Sequence, residues 1–207
     1  MGPALIMMAK APVAGRVKTR LCPPCSPAQA ATLARAALED TLAAGARAGA
    51  ERRVLALDGA PEPWLDRGYE VIAQRGGGFA DRLAAAFEDV GGPALLIGMD
   101  TPQVTPALLD AGLAAAARGA VLGLAPDGGY WAIGLPRPDR AVFAGVPMSC
   151  ATTGALQRAR LLARGLPVAA LPPLRDVDTF ADACAVAATI PRSRFAAALA
   201  AMPEPVA

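Results

Sequence analysis

Apolar residues in this chain fall into short runs separated by longer stretches with helical spacing. Ala4–Ala9, Arg53–Leu57, Tyr69–Ala73, Ala94–Met99, Ala120–Ala125, Tyr130–Leu135 and Pro167–Leu171 are short runs bounded by turn residues. Runs of that length read as buried strands. Phe79, Leu83, Phe87 and Val90 recur at helical spacing, which predicts a helix over Phe79–Val90. Ser26-Pro27 pairs an N-cap residue with proline at the first helical position, opening a helix to about Ala48. Thr105–Arg118, Thr152–Arg164 and the stretch after Thr179 to about Ala201 also read as helical, and Pro203–Ala207 as a frayed tail.

Strands alternating with helices argue for an α/β fold, a three-layer sandwich with a mostly parallel sheet and helices on both faces. Asp127-Gly128-Gly129 is a strong turn signal and predicts a hairpin, hence one antiparallel insertion. Neither a linker nor an internal repeat interrupts the pattern, so residues 1–207 read as a single domain.

Composition narrows the functional classes. Hydrophobic residues make up 54% of the chain, enough for a core despite the inflation by alanine. A net charge of +2 gives no reason to expect a nucleic-acid partner. No apolar run reaches the roughly 18 residues of a membrane span, and Met1–Met8 lacks the basic start of a secretory signal. A cytoplasmic protein is expected, of oligomeric state unspecified. The chain has no histidine, which excludes Ser-His-Asp and Cys-His nucleophiles and every His-containing metal site. General-base work falls to Asp, Glu or Lys, and a hard cation held by oxygen is favoured over a soft one. Cys22-Pro23-Pro24-Cys25 has CxxC spacing, but a zinc site would also need the isolated Cys150 and Cys184. Free thiols are expected.

Four constellations carry candidate chemistry. In Leu95-Leu96-Ile97-Gly98-Met99-Asp100-Thr101-Pro102 an apolar strand ends in a carboxylate, at the rim where open α/β sheets bind ligands. Asp100 there needs a partner, and a divalent metal would serve. A plain N-cap role explains the motif alone equally well. Lys10-Ala11-Pro12-Val13-Ala14-Gly15-Arg16-Val17-Lys18-Thr19-Arg20 places four cations directly after the first strand, where a loop can wrap phosphates. Its spacing is neither a Walker A loop nor a Rossmann fingerprint. Gln74-Arg75-Gly76-Gly77-Gly78 precedes a helix carrying Arg82, so ligand can approach the backbone and Arg82 can reach a phosphate. Asp176 and Asp178 alternate in an extended segment and can converge on one cation, unless Asp178 or Thr179 merely caps the next helix.

These motifs, in this order, resemble one bacterial family. Lys10-Ala11-Pro12, Gly15, Lys18-Thr19-Arg20-Leu21, Gly98 to Pro102, Asp127-Gly128-Gly129-Tyr130 and Asp176 to Thr179 are similar to the radical-SAM/selenodomain-associated transferase 1 family. Its members are labelled glycosyltransferases of arsenosugar-type pathways. The resemblance runs from residue 4 to about 185 and implies a GT-A nucleotide-diphospho-sugar transferase fold. That fold is shared with molybdenum-cofactor and phospholactate guanylyltransferases. It implies that the Lys10–Arg20 loop, with Gln74, Gly76, Gly77 and Arg82, holds a nucleotide, Lys18 and Arg20 meeting its phosphates. Asp100 and Asp178, with Asp176 nearby, would hold Mg2+ or Mn2+, and Asp100, Asp178 and Lys18 would be catalytic. Asp127, Gly128, Gly129, Tyr130 and Ser149 would line the acceptor pocket. Where the family often has Trp-Ser-Thr, this chain has Met148-Ser149-Cys150.

The expected function is therefore metal-dependent glycosyl transfer from a nucleotide sugar to a small-molecule acceptor. Nucleotidyl transfer from a nucleoside triphosphate to a phosphorylated small molecule is the alternative, since an ionised phosphate acceptor needs no general base. For a hydroxyl acceptor, Asp127 is the candidate base. A non-catalytic nucleotide-binding module is a third reading.

Overall fold

A computed structural model describes residues 2–62 and 68–202. The expected tail at Pro203–Ala207 lies outside them. The strands are β1 (Ala4–Lys10), β2 (Arg52–Asp58), β3 (Glu70–Ala73), β4 (Ala94–Gly98), β5 (Ala120–Leu124), β6 (Tyr130–Leu135) and β7 (Val168–Leu171). They form one seven-stranded sheet in the order β3-β2-β1-β4-β6-β5-β7. β6 lies antiparallel between β4 and β5; the other neighbours run parallel. The expected antiparallel insertion is thus β6, reached through the Asp127–Gly129 turn.

Successive residues of a strand point to opposite faces, and β1 feeds two cores in alternation. Leu5 and Met7 pack with Leu55, Leu95 and Ile97 under α1 (Pro27–Ala46) and α3 (Pro106–Ala116). Ile6 and Met8 pack with Val54, Leu96 and Ile133 under α2 (Phe79–Val90) and α4 (Thr153–Ala163). Ser26 caps α1 as the sequence predicts, and Gln29 returns the bond in a capping box.

α1 is buried on two sides. Leu38 and Leu42 face the sheet, while Leu33 and Ala37 meet Phe195 and Val186 of α5 (Phe180–Thr189) and α6 (Arg194–Ala200). Its many alanines suit a helix approached closely from both directions. Phe79, expected on the buried stripe of α2, is instead 46% exposed and stands at the mouth of a cleft.

β1 has β2 on one side and β4 on the other, so the connections leave it in opposite directions. The carboxyl ends of β1 and β4 mark the place where doubly wound sheets open a crevice. There a cleft of about 650 Å3 lies between the end of β1, the end of β4, the hairpin turn and residues 176–178.

Candidate active site

The loop after β1 is pinned by its apolar residues. Val17 and Leu21 are buried, and a short 3-10 turn forms over Thr19–Leu21, which the sequence pattern does not reveal. Between the anchors Lys18 adopts φ 48° and ψ 41°, a left-handed conformation uncommon outside glycine. This turns its side chain inward. Lys18 Nζ donates to Asp100 Oδ2 at 2.8 Å and to Asp178 Oδ1 at 3.3 Å. Burial by itself pulls the Lys18 ammonium down, but the two carboxylates together outweigh burial and hold it above its ordinary range. The resemblance implies that Lys18 meets phosphates; in this structure its ammonium lies between two carboxylates.

Two local features deliver those carboxylates. Gly98 leaves room for Asp100, because a Cβ at Gly98 would stand 2.7 Å from Asp100 Oδ1. The segment 176–178 is tied to β4 by the Val177 amide, which donates to the Asp100 carbonyl at 2.9 Å. Val177 is buried among Leu21, Leu33 and Phe195, while Asp176 and Asp178 on either side line the cleft. Neither Asp100 nor Asp178 is spent on capping. Thr105 caps α3, and Thr179 caps α5 with Asp182 completing a capping box.

Arg20 Nη1 donates to Asp178 Oδ2 at 2.8 Å. Asp176 Oδ1 is buried and has no hydrogen-bond partner. Its carboxyl is pushed up to about 8, first by burial, then by the charges of Asp100, Asp127 and Asp178, with Lys18 opposing.

At the ends of β1 and β2, Gln74 is a brace. Its Nε2 donates to the carbonyls of Ala9 at 2.8 Å and Ala56 at 2.9 Å. Its Oε1 accepts from Arg82 Nη1 at 3.4 Å, and Arg82 also reaches Asp58 Oδ2 at 3.5 Å. Arg82 Nε is buried without a partner. These long contacts leave most of the guanidinium's donor capacity unused.

On the opposite wall Asp127 Oδ1 accepts from the Gly129 amide at 2.9 Å, bracing the turn. Gly128 has φ +89°, and a Cβ there would run into the Ala151 carbonyl. The Gly154 amide donates to the Gly128 carbonyl at 2.8 Å, locking turn and α4 together. The Tyr130 hydroxyl donates to Gln157 Oε1 at 3.4 Å, and burial keeps it from ionising in its ordinary range. Ser149 has φ 61°, and beside it Cys150 is exposed. Hydrogen bonds from Thr152 and Thr153 lower the Cys150 thiol to about 7. All four cysteines are free thiols.

The cleft brings together most of the residues singled out from sequence. Of the residues expected to bind donor, acceptor or metal, Ala11, Pro12, Gly15, Gly76, Gly77 and Gly128 do not line it and the others do. Sequence reasoning misses Asp58, although it ends the apolar strand β2 as Asp100 follows β4. It also misses the apolar wall of Met8, Leu83, Leu96 and Trp131, whose side chains read as ordinary core.

Among the described residues no three His, Cys, Asp or Glu side chains are grouped for a metal. The donor chemistry nonetheless fits a hard divalent ion. Asp100 and Asp178 already share one cation, the Lys18 ammonium, and the orphaned Asp176 oxygen adds a third carboxylate at the same wall.

Residues 29–150 match a family described as "Uncharacterized protein conserved in bacteria" (DUF2064). No curated protein sequence matches the chain. A structure from Desulfovibrio desulfuricans G20, provisionally named a nucleotide-diphospho-sugar transferase, is similar with a TM-score of 0.86 and 28% identity. That match covers 97% of this chain and 95% of the other. Rv0371c of Mycobacterium tuberculosis H37Rv, in complex with manganese, is similar in fold at TM-score 0.55 and 24% identity, covering 90% and 98%. The 2-C-methyl-D-erythritol 4-phosphate cytidylyltransferase of Thermus thermophilus is similar in fold at TM-score 0.58 and 20% identity, covering 91% and 98%. The fold is thus of the nucleotide-diphospho-sugar transferase-like kind expected from the sequence. Among the described residues no helix is long and apolar enough to cross a membrane.

Proposed function

The chain belongs to the DUF2064 family, and from the chemistry of its cleft we propose that it is a divalent-metal-dependent transferase acting on a nucleotide donor. The observation that carries this reading is a single cleft lined both by the cations Lys10, Arg16, Lys18, Arg20 and Arg82 and by the carboxylates Asp58, Asp100, Asp127, Asp176 and Asp178, with Lys18 and Arg20 in contact with Asp100 and Asp178. A polyphosphate with its counter-ion is a ligand that satisfies both kinds of charge at once. We read residues 1–207 as one transferase domain, because one sheet takes strands from Ala4 to Leu171.

In this reading Lys10, Arg16, Arg20 and Arg82 bind the phosphates, and Gln74 keeps the strand ends in register beneath the nucleotide. Asp100 and Asp178, with Asp176, would hold Mg2+ or Mn2+, which supplies Lewis-acid stabilisation of phosphate oxygens. Asp127, Gly129, Tyr130 and Ser149 form the acceptor wall, and the apolar side chains behind them exclude water from it. Glycosyl transfer from a nucleotide sugar is the first choice, supported by the similarity to the Desulfovibrio protein and by the resemblance of four motifs to those of the radical-SAM/selenodomain-associated transferases. Nucleotidyl transfer is the second reading. It is favoured by the absence of histidine and by an Asp127 carboxylate engaged with its own turn, since a phosphate acceptor needs no base. A cytoplasmic setting fits a nucleotide donor and four free thiols.

The test is product analysis with bacterial small-molecule extract as the acceptor source. Nucleoside diphosphate released from a nucleotide sugar supports glycosyl transfer, and pyrophosphate released from a triphosphate supports nucleotidyl transfer. Release of neither, with every common donor and Mg2+ or Mn2+, overturns the transferase reading.

A further inference from the structure

Lys18 holds the position that a cation between Asp100 and Asp178 must take. Its side chain is only 12% exposed, and its two acceptors come from segments 82 and 160 residues away. Nothing local makes this contact, and the left-handed backbone at Lys18 disfavours it for an ordinary residue, yet the buried Val17 and Leu21 hold the loop there. Resting on the reading of the cleft as a metal and nucleotide site, we propose that Lys18 is the resident counter-ion of Asp100 and Asp178. A divalent metal replaces it only when phosphates are present to receive the ammonium.

The reason is electrostatic. A metal arriving alone meets an ammonium within hydrogen-bond range of both carboxylates. Displacing that ammonium strands a largely buried charge without an anion, which is costly. A nucleotide's phosphates remove this cost by offering Lys18 new acceptors in the same cleft. Metal and phosphate then assist each other's binding, and the coupling is reciprocal. Two further features fit the exchange. Arg20 grips the second oxygen of Asp178 independently of Lys18, so the carboxylate stays in place when the ammonium leaves. Asp176 Oδ1, buried and without a partner, is an oxygen that Lys18 does not satisfy. The consequence is ordered loading, with bare metal bound weakly and the metal–nucleotide pair bound tightly.

The experiment measures Mn2+ affinity from the free-ion electron paramagnetic resonance signal, on the full chain, first without nucleotide and then with GTP or UDP-glucose against a protein-free control of the same nucleotide. Wild type, Lys18→Met and Lys18→Arg are compared, with folding checked by circular dichroism; Lys18→Gln replaces Lys18→Met if the latter does not fold. Lys18→Met is expected to bind Mn2+ at least about tenfold tighter than wild type, while Lys18→Arg stays weak because it keeps the charge. Equal or weaker Mn2+ binding by Lys18→Met overturns the exchange. If wild type binds Mn2+ and a nucleotide together but Lys18→Met shows no gain, the exchange alone fails. If no variant binds Mn2+ even with nucleotide present, the metal–nucleotide reading fails with it.

Discussion

Replacing Gly128 by alanine tests how the acceptor wall is built. Gly128 sits at φ +89°, where an L-residue pays about 1–2 kcal/mol. Its new Cβ would also meet the Ala151 carbonyl, a backbone atom that cannot swing away, and such overpacking costs about 1–3 kcal/mol. The sum is about 2–5 kcal/mol, which lowers Tm by about 4–20 °C in a chain of this size. Two companions separate the contributions. Gly165→Ala has φ +72° with nothing within 4 Å of its Cβ, so only strain applies and Tm should fall by about 2–8 °C. Gly154→Ala, in the first turn of α4, meets the Gly129 carbonyl and Leu124 Cδ2 at 2.7 Å and the Gly128 carbonyl at 3.1 Å without left-handed strain, so only overpacking applies. Its loss should therefore be about 1–3 kcal/mol, less than the sum at Gly128. Differential scanning calorimetry on the three proteins decides. If Gly128→Ala is no worse than Gly165→Ala, the turn is not pinned against Ala151, and the packed acceptor wall described above is wrong.

Three further outcomes are expected. Iodoacetamide should alkylate Cys150 with a rate half-maximal near pH 7, because the thiolate is the reactive form and hydrogen bonds lower this thiol to about 7 from 9.0. A profile still rising above about pH 8.5, the range of an ordinary thiol, read by mass spectrometry at Cys150, would contradict the Thr152 and Thr153 contacts. The Asp176 carboxyl, raised by burial and neighbouring carboxylates, binds its proton more tightly folded than unfolded. Stability should accordingly decline as pH climbs from the ordinary carboxylate range to about 8, and Asp176→Asn should flatten that decline in Tm measured against pH. Arg20→Ala should cost less than about 1 kcal/mol in denaturant unfolding, since Arg20 is 72% exposed. It should nonetheless weaken nucleotide binding measured by titration calorimetry.

The strands are legible in the sequence because parallel strands covered on both faces must be apolar throughout, as in Leu95–Ile97. Ser26-Pro27 and Asp127-Gly128-Gly129 are equally readable, since capping and tight turns depend on the residues themselves. The place of Asp100 at the sheet rim is legible because it directly follows an apolar strand, but that pattern alone suits an N-cap equally well, and only geometry assigns the cap to Thr105. The Lys18 contact is not legible, because its partners are brought in by tertiary folding from residues 100 and 178. The capping ambiguity at Asp178 and Thr179 is likewise local, and only geometry assigns the cap to Thr179. The two-sided burial of α1 is hidden because alanine fits a core and a surface alike. Asp58 shows the reverse failure, a strand-end carboxylate plainly visible in the sequence but overlooked among several.

The most direct measurement is a thermal-shift panel of GTP, CTP, UTP, ATP, UDP-glucose, UDP-N-acetylglucosamine and GDP-mannose, each with Mg2+ and with EDTA, on wild type and Asp100→Asn. At a hundredfold excess over Kd a ligand stabilises by about 2.7 kcal/mol, or about 5–11 °C here. At least one nucleotide should stabilise wild type by that order with Mg2+ and much less with EDTA, and Asp100→Asn should lose the difference. No shift from any of them, or a shift indifferent to both EDTA and Asp100→Asn, would contradict a metal-dependent nucleotide site in this cleft.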